Sequence, residues 1–153
     1  MSMNIEIIPP YEIAYFRHFG PYGIGNAQTM ENLKQWAKLH NLFNDNTIIF
    51  GIAQDNPDTT RPENCRYDAC IVISHDYCIS DNIVIRGNIV GGRYAVFKID
   101  HTAEAVQRAW SEIFQKISEY KYQIDESRPI MERYKVEMVK KHFCEICVPI
   151  KSS

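Results

Sequence analysis

The chain contains no apolar run approaching the length of a membrane span. Its first residues, Met1-Ser2-Met3-Asn4, show neither the basic stretch nor the hydrophobic run of a signal peptide. Export and membrane anchoring are therefore not expected, and the cytoplasm is the expected location. An excess of positive charge is missing too: 17 basic residues against 19 acidic ones leave a net charge of −2. That is too little to neutralise a phosphate backbone, so direct nucleic-acid binding is not expected. A disulfide framework is absent, because the five cysteines (Cys65, Cys70, Cys78, Cys144, Cys147) are odd in number and scattered through strand-like runs, as reduced core thiols are. His18, His40, His75, His101 and His142 show no paired spacing with acids or cysteines, so no metal site is expected. With no nucleophile triad or cofactor motif, no cofactor is expected and an enzymatic role stays open.

What is present is an ordinary globular composition, 45% hydrophobic and 24% charged over 153 residues, enough for one domain with a continuous core. Met30, Leu33, Trp36, Ala37 and His40 recur at helical spacing after the loop Gly20-Pro21-Tyr22-Gly23. Val106, Trp110, Ile113 and Ile117, widened by Phe114, form a second and stronger stripe. Strands are predicted over residues 13–19, 48–54, 67–74, 83–90, 94–99, 130–138 and 143–150, each rich in β-branched and aromatic residues and bounded by Gly, Pro, Asn or Asp. The order strand-helix-strand-strand thus occurs twice. Ala14 and Phe16 fall on Ala95 and Phe97 at a shift of 81, Leu33 and Ala37 on Ile113 and Ile117 at 80, and Tyr67 and Val72 on Phe143 and Val148 at 76. The expected fold is α+β: a tandem strand-helix-strand-strand repeat, with antiparallel sheets and two main helices about a pseudo-twofold axis. One domain, 1–153, comprises halves at about 4–78 and 79–151, and a ligand cleft is expected between them.

Glu132 is the most informative position. Along Ile130, Glu132, Tyr134, Val136 and Met138 one strand face is apolar except for this acid, while Met131, Arg133, Lys135 and Glu137 form the polar face. A carboxylate turned inward needs a partner or a raised pKa. It is either a structural group bonded to Arg66 or Arg93, or a ligand anchor. Tyr22, Trp36, Tyr67, Trp110 and Tyr134 supply aromatic surface suited to flat or cationic molecules. Trp36 and Trp110 lie on the helical stripes and fit core packing as well; Tyr134 shares a strand face with Glu132. Cys144-Glu145-Ile146-Cys147 has C-x-x-C spacing, but on a strand that spacing turns the thiols to opposite faces and offers no helix N-terminus to stabilise a thiolate.

Three segments carry a resemblance to the GyrI-like superfamily: Ala14-Tyr15-Phe16-Arg17-His18-Phe19-Gly20-Pro21-Tyr22; residues 51–57 running on to Pro62-Glu63-Asn64-Cys65-Arg66-Tyr67-Asp68-Ala69; and residues 89–97 followed by Glu132-Arg133-Tyr134 and Val148-Pro149-Ile150. The resemblance implies a fold found alone in SbmC-type gyrase inhibitors and as the effector domain of AraC-type and MerR-type multidrug regulators. It further implies that Glu132 meets cationic ligands in the cleft. No helix-turn-helix precedes Ile5, so the expectation is a stand-alone protein that senses or sequesters an apolar, cationic small molecule. The other roles the resemblance allows are a protein inhibitor of DNA gyrase and a hydrolase of cyclopropane-containing genotoxins.

Overall fold

In the computed structural model, residues 1–152 are described. Helix α1 (Ile24–Leu39) starts where Gly23, at φ 139°, turns the chain in a region that side-chain-bearing residues avoid. Helix α2 (Ala103–Glu119) starts at Thr102, whose hydroxyl accepts from the Ala105 amide at 3.1 Å. The residues turned inward match at a shift of 80: Thr29, Leu33 and Ala37 in α1, Ala109, Ile113 and Ile117 in α2. Each helix therefore buries the same face against its own half of the sheet.

Strands β1 (Ser2–Ile8), β2 (Tyr11–Phe19), β3 (Ile48–Ala53), β4 (Arg66–Ile73), β5 (Ile85–Ile89), β6 (Gly92–Asp100), β7 (Met131–Lys135) and β8 (Phe143–Pro149) form one antiparallel sheet. Its order is β1-β6-β8-β7-β3-β4-β2-β5. The two expected sheets are thus fused through β3 and β7. The register bears out the duplication residue by residue. Ala14 pairs with Ile71 as Ala95 pairs with Val148, and Tyr15 pairs with Ile85 as Val96 pairs with Asn4.

Four details differ from the sequence reading. The strand β1 was not foreseen, and it exchanges places with β5: β1 lies beside β6 of the second half, β5 beside β2 of the first. The last strands align at 77, not 76, since Ile71 matches Val148. In a strand a one-residue slip exchanges the two faces, so Tyr67 corresponds to Cys144 rather than to Phe143. The run 130–138 is not one strand, because β7 ends at Lys135 and Val136–Lys140 forms a short helix, α3. Finally, the face of β7 taken as polar is the more deeply buried one. Met131 is packed with Ile8, Phe50, Tyr94 and Cys147 on the side of the sheet away from the helices. Arg133 there donates to Glu145 at 2.9 Å and to both carboxylate oxygens of Glu6 at 3.1 and 2.9 Å. A buried arginine tied to two acids reads in sequence like a solvated charge; removing such a partner costs about 3–5 kcal/mol.

The halves meet where β3 runs beside β7, with Ile49 opposite Tyr134, Phe50 opposite Arg133 and Gly51 opposite Glu132. Gly51 and Glu132 are separated by the shift of 81 that relates the halves, so each faces its own counterpart and the pair lies on the pseudo-twofold axis. Gly51 is required by a neighbour: a Cβ there would lie 2.4 Å from the Tyr67 hydroxyl oxygen. Gly51→Ala is expected to lower stability by about 1–3 kcal/mol, as overpacking does. Adding Tyr67→Phe should recover most of that loss in denaturant melts, since it removes the colliding oxygen; a full loss in the double variant contradicts the packing described.

Candidate ligand cavity

The duplication leaves the helix side of this seam incompletely filled. A half-open cavity of about 420 Å³ lies there, between α1, α3 and the strands. Asn26, Ala27, Met30 and Lys34 form one wall, a single stripe of α1 at helical spacing. Ile49, Tyr67 and Tyr134 form the floor, and Val136, Val139 and Lys140 of α3 close the far side, with Phe43 and His101 at its edges. The volume is within the ~300–1,000 Å³ usual for small-molecule sites.

Glu132 does not itself line this cavity. Its carboxylate accepts a hydrogen bond from the hydroxyl of Tyr134, two residues along the same face, and Tyr134 forms part of the floor. Neither arginine weighed as its partner fills that role: Arg66 is bonded to Asp55 at 2.9 Å, and Arg93 reaches the Lys151 carbonyl and covers the Tyr122 ring. Burial pushes the Tyr134 phenol well above its ordinary pKa, and the charge of Glu132 adds to the effect. Tyr67 is raised for the same two reasons in the same order. Both phenols stay neutral at physiological pH and keep their protons as donors. The Tyr67 hydroxyl makes no hydrogen bond to protein among the described residues and so has that donor to offer. His101 meets Tyr134 edge-on, ring centroids 5.6 Å apart. Its pKa is lowered by burial first, then by the charge of Lys34, which favours a neutral imidazole.

Of the six residues singled out in the sequence, the structure brings three together: Tyr67 and Tyr134 on the floor, with Glu132 behind Tyr134. The other three lie outside the lining. Trp36 is 5% exposed in the first-half core, where its indole N–H donates to Asp81 at 3.0 Å and its ring stacks on His40. Trp110 packs beside the second-half core. Tyr22 ties loops together, its hydroxyl 3.0 Å from the carbonyls of Asp55 and Arg66. The lining residues not foreseen include Met30 and Lys34, which continue the apolar stripe of α1 on the edge next to the second half. Val136 already shared the apolar face of Glu132 and Tyr134 in the strand reading, whereas Val139, three residues on, joins it only on a helix.

The tandem arrangement, with a cavity at the junction of its halves, defines a class of small-molecule-binding domains. The chain belongs to the GyrI-like family: the GyrI-like small molecule binding domain matches residues 1–151. It is similar to the SPbeta prophage-derived protein YosT of Bacillus subtilis, described as a transcriptional regulator, with 42% identity covering 99% of this chain and 100% of that one. It also resembles DNA gyrase inhibitor 2 of Dickeya dadantii, at 24% identity over 80% of this chain and 78% of that protein. Among solved structures, the EcmrR C-terminal domain shares the fold at TM-score 0.74 and 13% identity, covering 99% of this chain and 98% of that one. SAV2435 bound to tetraphenylphosphonium shares it at TM-score 0.62 and 17% identity, covering 99% and 95%. Among the described residues no helix is long and apolar enough to cross a membrane.

The cysteines lie apart from this cavity. Cys144 and Cys147 face opposite sides of the sheet, and burial pushes each thiol up to about 12. Cys65 and Cys70 are buried and free, and Cys78 alone is exposed. Native protein treated with a thiol-reactive disulfide reagent should release one equivalent rapidly and the remaining four only on unfolding. Fast reaction of a second thiol, or a native mass two hydrogens short, contradicts this assignment.

Proposed function

We propose that the protein senses or sequesters a small, largely apolar molecule in this cavity, and that Glu132, acting with Tyr134, selects ligands bearing a cationic or hydrogen-bond-donating group. The observation that carries the reading is the carboxylate placed behind a neutral phenol at the floor of a largely apolar, half-open cavity. Aromatic surface holds flat rings without strict geometry, and a carboxylate in a partly dry site rewards a donor more than it would in water. The neighbour bound to tetraphenylphosphonium supports an apolar cation as the probe with which to begin. Family membership and the relatives described as regulators and gyrase inhibitors support small-molecule binding in general. A role as a gyrase inhibitor rests on gyrase-inhibitor relatives such as the Dickeya protein; a cavity with room for a ligand favours binding, or hydrolysis of a bound molecule, over a sealed protein-binding surface.

Glu132→Gln keeps the shape and removes the charge. Affinity for tetraphenylphosphonium, which can feel only the charge, should fall by roughly 1–2 kcal/mol, the scale of a charge–charge attraction across one intervening side chain, while neutral triphenylphosphine oxide loses less. Calorimetric titration of both probes against both proteins, with melting curves alongside, checks it. Equal losses for the two probes, or lowered stability with unchanged affinity, would mean that Glu132 is structural.

A further inference from the structure

The two edges of the sheet, β1 and β5, occupy equivalent places in the repeat: Ile5 pairs with Ala95 as Arg86 pairs with Ala14, and Ile7 pairs with Arg93 as Asn88 pairs with Glu12. A strand edge presents unpaired amides and carbonyls to any other strand, and natural proteins blunt it by shortness, charge or proline. β5 follows that rule. It has five residues, and on the helix side of the sheet it carries Arg86 and Asn88, with Arg86 tied to Glu12 and to the carbonyls of His75 and Tyr77. β1 breaks it. The strand runs for seven residues without proline, lysine or arginine, and the positions of Arg86 and Asn88 are taken by Ile5 and Ile7, 36% and 71% exposed, in line with Met3. Its one charged residue, Glu6, is turned to the other face and bonded to Arg133. Among the described residues, the backbone of β1 makes no backbone hydrogen bond outside its pairing with β6.

The sequence of β1 is complementary to itself in one register. When two copies run antiparallel about a twofold axis through Ile5, all seven residues pair. On the helix side Ile5 meets Ile5 and Met3 meets Ile7, a continuous apolar ladder. On the other face the Asn4 amide meets the Glu6 carboxylate, and Ser2 meets Ile8. Moving the axis to Glu6 sets two carboxylates opposite each other, which is unfavourable; moving it to Asn4 breaks the Asn4–Glu6 match and leaves Ile8 without a counterpart.

We propose that β1 is a homodimerisation edge: two copies of this chain join β1 to β1 in that register, merging their sheets into one continuous sheet with the helices of both copies on the same side. Strands β6 and β8 separate β1 from β7, so the seam of each copy and its cavity stay open. The inference is therefore independent of what the cavity binds.

Sedimentation velocity over a concentration series should show a monomer–dimer equilibrium. Ile5→Lys sets two ammonium groups against each other on the axis and should raise the dimer dissociation constant at least about ten-fold. Ile7→Lys, at a more exposed position, should weaken the dimer as well, whereas Asn88→Lys on the matching edge should leave it unchanged. Mixing Ile5→Lys with Ile5→Glu should restore a dimer containing one of each, since a pairing centred on Ile5 brings those two groups together. Melting curves confirm that each variant is folded. A monomer at every concentration, or a dimer that survives both Ile5→Lys and Ile7→Lys, overturns the proposal. Equal weakening by Asn88→Lys, or failure of the two charge variants to pair with each other, overturns it too.

Discussion

The structure hinges on the pairing of β3 with β7, where the two halves of a duplicated chain become one sheet. At its centre Gly51 faces Glu132, and these are equivalent positions of the repeat. Two large side chains there would compete for the same space on the axis. The glycine resolves the conflict by leaving room for the Tyr67 hydroxyl, and the glutamate takes its hydrogen bond from Tyr134 on the same strand. The floor of the cavity follows from this division of one symmetric position between a residue with no side chain and a residue with a charged one.

Elsewhere, too, the repeat is kept in backbone and broken in side chains. On the face away from the helices, Arg133 of the second half bridges Glu6 and Glu145. The matching positions of the first half are Ile52, Gly87 and Asp68, and there Arg17 supplies the partner for the acid, at 2.8 Å to each carboxylate oxygen. The same backbone trough is therefore filled by a buried ion network in one half and left as a smaller cavity of about 250 Å³ in the other. On the helix face α1 borders the main cavity through Asn26, Ala27, Met30 and Lys34, whereas the equivalent stripe of α2 holds Val106 and Trp110 against its own core and leaves Gln107 and Phe114 exposed. The main cavity is thus lined by α1 and not by its counterpart α2.

Much of the fold was legible in the sequence because the two helical stripes and the strand-helix-strand-strand order are periodic signals that neighbours cannot disguise. The pairing of Ala14 with Ala95 and of Leu33 with Ile113 as equivalents came from the same signal. What was not legible depends on distant partners. β1 alternates apolar and polar residues over residues 3–7, a signal too short to name its partner, and only the fold sets it beside β6. Arg133 looks solvent-facing until Glu6, far away in the chain, is brought to it. Glu132 and Tyr134 stood out as an acid and a phenol on one apolar strand face, and Tyr67 only as one of five aromatic candidates. Lys34 and Asn26 did not, because only the assembled fold shows which side of α1 borders the second half.

The central claim is that ligands enter on the helix side of the β3–β7 seam. The most direct measurement is a map of backbone and indole amide shifts in two-dimensional NMR during titration with phenylnaphthylamine. The account predicts shifts concentrated at Ala27, Lys34, Gly51, Tyr67, Tyr134 and Val139, with the indole N–H of Trp36 unmoved in its bond to Asp81. Shifts centred instead on Ile13, Ile52 and Met131, across the sheet, would contradict it.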